Sequence, residues 1–153
     1  MADGNRFDPL REVAARGPDA FYTGATARAI VAATTTNAPR NPGDMTLADL
    51  AGYRAQERDA VCYNYRRYRV CGMGPPSSGG TTVLSMLGML EHFDLRAMGR
   101  DNPMSWHLLR EAMHLAYADR DTFLGDPGFV DVPTAGLLNE QYLAGRARLI
   151  SPF

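Results

Sequence analysis

The residues best suited to chemistry lie together in Gly74-Pro75-Pro76-Ser77-Ser78-Gly79-Gly80. Adjacent glycines let backbone N–H groups turn toward one point, and a helix starting beyond them adds partial positive charge for an anion. Ser77 and Ser78 supply hydroxyls that can donate to such a ligand or cap the helix. The segment is not a P-loop, because the lysine and its spacing are missing, nor a dinucleotide fingerprint, which needs separated glycines. A rigid diproline turn with a helix cap explains the same residues and is favoured on side-chain chemistry alone. An anion- or partner-binding loop is the alternative.

A second constellation is His107, Glu111 and His114, spaced by four and three so that one helical face carries all three within reach of a metal ion. Leu109, Ala112, Met113 and Ala116 would then form the apolar stripe toward the core. No further ligand cluster completes a tetrahedral site, so a solvated polar face is favoured and no metal is assigned. Asp119-Arg120-Asp121 closes the same helix, where alternating charges form weak surface pairs or brace the Gly125-Asp126-Pro127 turn. A Ser–His pair can be drawn from Ser77 or Ser78 with His92, His107 or His114, but no nucleophile elbow supports it.

The elements that must position these residues follow from period and punctuation. A short helix spans Leu10 to Arg16 before Gly17-Pro18, and an alanine-rich one spans Thr23 to Thr35. Residues 37–44 form a loop with two prolines and a glycine. Thr46 opens another helix, with Asp49 placed for a capping box. Helices are then expected from Thr81 to His92, from Pro103 to Thr122 and from Asn139 to Ala147.

Between Asp59 and Met73 the period becomes two, and a turn at Arg66-Arg67 sets Tyr65 opposite Tyr68, Tyr63 opposite Val70 and Cys62 opposite Cys71. Val61, Tyr63, Tyr65, Tyr68 and Val70 share one face; Cys62, Asn64, Arg69 and Cys71 share the other. Two arginines fit a tight turn poorly, because such turns favour glycine or asparagine at positive φ, so a longer turn is an alternative. In this register Cys62 and Cys71 form a non-hydrogen-bonded cross-strand pair. A disulfide is open to them in an oxidising compartment, although two packed thiols are the favoured reading of the pair alone.

The 153 residues, 45% hydrophobic and 22% charged, describe a globular α+β chain, mostly helical with one β-hairpin. All of 1–153 reads as one incomplete domain without repeats. With a net charge of -1 and no basic stripe, no nucleic-acid partner is expected. No apolar run approaches the roughly 20 residues of a membrane span. The opening Met-Ala-Asp-Gly-Asn-Arg lacks the apolar stretch of a secretory leader, so any export signal is expected outside this sequence.

Several segments together resemble one family: Gly17-Pro18-Asp19-Ala20-Phe21-Tyr22-Thr23-Gly24, Met45 to Tyr53, Tyr65-Arg66-Arg67-Tyr68-Arg69-Val70, Pro75 to Gly80, and Ala116 to Arg120 followed by Leu124 to Pro127 and Val132-Pro133. In this order they resemble the C-terminal part of the large subunit of the γ-glutamyltranspeptidase (glutathione hydrolase) family. The resemblance implies a share of the αββα architecture of N-terminal nucleophile hydrolases. It also implies autocleavage and a threonine nucleophile whose own α-amino group is the base.

That threonine is expected beyond Phe153, and the carboxylate-binding arginine upstream. No catalytic residue of the family therefore maps onto this chain, and Ser77, Ser78, Gly79 and Gly80 remain only loop candidates for binding. Expected partners are the rest of the large subunit and the small subunit, or another copy through exposed core surface, with γ-glutamyl substrates in the complete enzyme. No cofactor is implied, a periplasmic or extracellular location is, and a β-lactam acylase of the same superfamily is the related alternative. Arg67 stands where the family pattern has the glycine of its tight turn.

Overall fold

The computed structural model describes residues 8–151. Contacts divide the chain into two units, residues 1–56 and 57–153, although the sequence pattern marks no boundary there.

The first unit is helical: α1 (Pro9–Arg16), α2 (Asp19–Tyr22), α3 (Ala25–Thr34) and α4 (Leu47–Gly52). Its helix ends are set locally. The Asp8 carboxylate accepts from the N–H groups of Leu10 and Arg11, Pro9 occupies the first turn, and Gly17 closes α1 at φ 75°. Asp49 donates its N–H to the Thr46 hydroxyl at 3.2 Å, and its carboxylate accepts from the Thr46 N–H at 2.7 Å. This completes the expected capping box. Tyr22 and Tyr53 stack at 5.6 Å between ring centres, joining the ends of α2 and α4.

The second unit contains β1 (Val61–Tyr65), β2 (Tyr68–Gly72), α5 (Gly79–Leu90), α6 (Leu95–Met98), α7 (Pro103–Phe123), α8 (Thr134–Leu137) and α9 (Glu140–Ala147). The one-turn helices α2, α6 and α8 are too short to show a period in sequence. Helix α5 is apolar around most of its surface because α7, α9 and both strands pack on it. Met89, Leu90, Leu108, Ala112, Ala116, Leu143, Ala147 and Ile150 fill the shared core.

The inward stripe of α7 is Leu108, Ala112, Ala116 and Asp119. The stripe expected from Leu109 and Met113 is thus rotated: Leu109 is half-buried and Met113 is 41% exposed. The small Ala112 and Ala116 allow close approach of a neighbouring helix, which fixes which face turns inward.

The hairpin has the expected register, with Cys62 opposite Cys71 and Tyr65 opposite Tyr68. Its turn is tight after all, and the residue at positive φ is Arg66 (54°) rather than Arg67. A non-glycine residue there costs about 1 kcal/mol. Tertiary bonds offset this cost: the Arg66 N–H donates to Glu91 Oε1 at 2.6 Å, and its guanidinium donates to the Phe93 carbonyl at 3.2 Å. Val61, Tyr63, Tyr65 and Val70 are half-buried, while Tyr68 at the turn is 56% exposed.

Cys62 and Cys71 are joined as a disulfide across 4.1 Å between Cα atoms, not left as the two packed thiols favoured from sequence. The bond closes a short loop around the turn, so its effect on the unfolded chain is modest. Cys62→Ser with Cys71→Ser is expected to lower unfolding free energy by about 2.7 kcal/mol under the chain-entropy relation for ~10 residues. Urea titration of oxidised, reduced and doubly substituted chains checks this, and the latter two should coincide.

Candidate functional site

The end of β2 and the first turn of α5 meet at Gly72 and Gly80, and the loop Gly74 to Ser78 lies between them. A Cβ on Gly72 would lie 2.8 Å from the Gly80 Cα, and one on Gly80 would collide with the Met73 carbonyl oxygen. Side chains are excluded at this crossing. Gly79 has room, since a Cβ there would meet only the Ser77 hydroxyl at 3.8 Å. Helix α5 begins at Gly79, two residues before its expected start, so Gly79 and Gly80 are helical rather than part of a cradle.

Ser78 occupies the N-cap position with helical angles, and its side chain does not cap α5. Its hydroxyl instead accepts from Arg120 Nε at 3.0 Å. Arg120 also pairs with Asp121 at 2.6 Å and lies 5.8 Å from the Tyr117 ring centre. The Arg120 contact thus ties the loop to α7. The Asp126 turn expected of Arg120 is reached by Arg58, at 3.7 Å.

Asp119 points inward, only 8% exposed, so it braces from within, while Arg120 and Asp121 form the exposed pair of the triplet. It meets Arg146 of α9 at 2.8 and 3.2 Å, and Arg146 also donates to the Leu115 carbonyl at 3.1 Å. A removed partner would leave a buried charge, which is why the two occur together. The sequence did carry the signal: Asp119 continues the Leu108, Ala112, Ala116 stripe at helical spacing.

The other candidates separate. His107 Nε2 is bonded to the Ser151 carbonyl at 2.7 Å, while His114 Nδ1 sits 3.8 Å from Glu111 Oε1. Among the described residues no three His, Cys, Asp or Glu side chains converge to hold a metal ion. His92 lies with Phe93, Ala144, Ala147, Arg148 and Ile150 around a shallow cavity. Ser77 and Ser78 have no histidine partner among the described hydrogen bonds, so the Ser–His pair drawn from the sequence is not formed among the described residues.

Beside the disulfide, Cys62, Tyr63, Asn64, Arg69, Leu138 and Glu140 line a shallow polar cleft of about 310 Å³. Burial, reinforced by Glu91 and Glu140, pushes the Tyr63 phenol up from its ordinary value. Burial, together with its hydrogen bond to Asp119, does the same for Tyr142. These shifts keep both phenols neutral, and neither creates a base.

The Gamma-glutamyltranspeptidase family profile matches residues 7–153. The chain belongs to the γ-glutamyltranspeptidase family. It is 39% identical over 142 residues to the glutathione hydrolase proenzyme of Escherichia coli (strain K12), covering 93% of this chain and 24% of that protein. It is 40% identical over 141 residues to the acylase ACY 1 proenzyme of Pseudomonas sp. (strain SE83), covering 92% and 25%. The chain thus spans about a quarter of the curated relatives it matches. Among solved structures, Helicobacter pylori γ-glutamyltranspeptidase superposes with a TM-score of 0.78 at 37% identity, over 94% of this chain and 40% of that one. Cephalosporin acylase from Bacillus halodurans does so at 0.76 and 28%, over 93% and 25%. The mostly helical α+β fold with its hairpin is that of a γ-glutamyltranspeptidase segment.

Two measurements test the geometry. Gly80→Ala is expected to lose roughly 1–3 kcal/mol of stability from overpacking against backbone, whereas Gly79→Ala should be neutral or mildly stabilising. Chemical denaturation of the two variants gives the comparison.

The raised tyrosine values also set an alkaline limb. The fold favours the neutral phenols, so their contribution is complete below an ordinary pKa of about 10 and declines as pH climbs through the raised values. Tyr63→Phe combined with Tyr142→Phe should flatten the fall in urea stability above about pH 10. An unchanged slope would exclude these two groups.

Proposed function

We propose that this chain is a large-subunit segment of an enzyme that cleaves γ-glutamyl amides through a threonine nucleophile supplied outside the sequence. Its part is to support the site: α5, α7 and α9 form a braced scaffold, and the hairpin and Gly72–Gly80 crossing give it a fixed edge. The observation that carries this proposal is the ordered family match across residues 7–153, combined with coverage of only about a quarter of the relatives. The absence of a base beside Ser77 or Ser78 among the described residues fits a supporting role. The Cys62–Cys71 disulfide favours an oxidising location, periplasmic or extracellular.

An acylase acting on β-lactam side chains is the second reading, favoured by the 40% identity to an acylase and the likeness to a cephalosporin acylase structure. The two share acyl transfer to a nucleophile and differ in the acyl group accepted. A free anion-binding module is less favoured, because Ser78 is engaged by Arg120 and Gly80 is consumed by the strand–helix crossing.

The purified chain is expected to release no chromophore from a γ-glutamyl anilide above the buffer rate, under oxidising conditions at neutral pH. Sustained turnover that scales with chain concentration would overturn the supporting role.

A further inference from the structure

Phe129 is 89% exposed, more than any other large hydrophobic side chain among the described residues. It is held outward by an ordered turn. The Asp126 carbonyl accepts from the N–H groups of Phe129 and Val130 at 2.9 and 3.0 Å, and the Asp126 carboxylate accepts from the Gly128 N–H at 2.9 Å. Arg58 approaches the same carboxylate at 3.7 Å. Val130 folds back over Gly125, where a Cβ would lie 2.8 Å from its methyl group. Phe123, the last residue of α7, and Val130, the next residue along the turn, are also exposed, at 43% and 51%.

A large aromatic side chain gains nothing by exposure, while a preorganised turn removes the entropy cost of presenting one. Interfaces concentrate their energy on such aromatic anchors seated in a partner's pocket. We infer that Phe129 is the anchor through which this segment docks onto the rest of the enzyme. The occupant facing it is polypeptide corresponding to the three quarters of the relatives' length that this chain does not match. That polypeptide would present an apolar pocket sized for one phenyl ring, with Phe123 and Val130 closing its rim. The inference rests on the proposed supporting role and adds the residue through which support is transmitted.

The test compares Phe129→Ser in two settings. One is the chain alone. The other is the chain grafted in place of its aligned segment in the Escherichia coli relative. In the chain alone the substitution should leave the unfolding transition unchanged, since the ring touches little. In the graft it should shift the unfolding equilibrium about 30-fold toward the unfolded state, the effect of truncating an interface anchor. Phe129→Leu should recover most of that loss. A graft whose stability is unchanged by Phe129→Ser overturns the anchor, and so does an equal loss in the isolated chain. A graft that fails to fold even with Phe129 intact overturns the supporting role itself, and the anchor with it.

Discussion

The second unit depends on the backbone crossing at Gly72 and Gly80. Only where neither residue carries a side chain can the end of β2 lie against the first turn of α5. That approach sets the hairpin directly on α5, and Tyr63 then lies over Gly88, where a Cβ would come within 3.2 Å of its ring. The apolar helix α5 gains a cover on one side from the strands and on others from α7 and α9. Close packing of this kind transmits small displacements, so a single methyl group at the crossing is felt across the unit.

Polar contacts around that core act as braces rather than as reacting groups. Asp119 and Arg146 join α7 to α9 where both helices are buried, and Arg120 fastens the Ser78 end of the loop. Glu91 holds the Arg66 turn from the far end of α5. Each interaction crosses between elements distant in sequence, and none places a base beside a nucleophile. The supporting role proposed above draws on this bracing.

Much of the local structure was legible. Period two announced the hairpin and its register, Thr46 with Asp49 announced the α4 cap, and Pro103 announced the start of α7. The ordered motifs pointed to the family that the comparisons establish. The loop candidates were legible as a unit but not in their roles. Ser78 looked like a cap and is instead a bond acceptor for Arg120, and Gly80 looked like part of an anion cradle and is instead a packing contact.

The sequence by itself determined the type of the longer elements, strand register and family, because these rest on local periodicity, capping chemistry and ordered motifs. Tertiary structure decided the face of α7 turned inward, the partner of Asp119, the tolerance of Arg66 at positive φ and the use of the two glycines. Each of these depends on groups brought together from separate elements: Leu108 is buried in the core while Leu109 only packs against its edge, Arg146 arrives 27 positions after Asp119, and Glu91 arrives 25 after Arg66. Spacing along one helix or strand carries no record of such meetings, since they are fixed by how elements pack and not by the period within any of them.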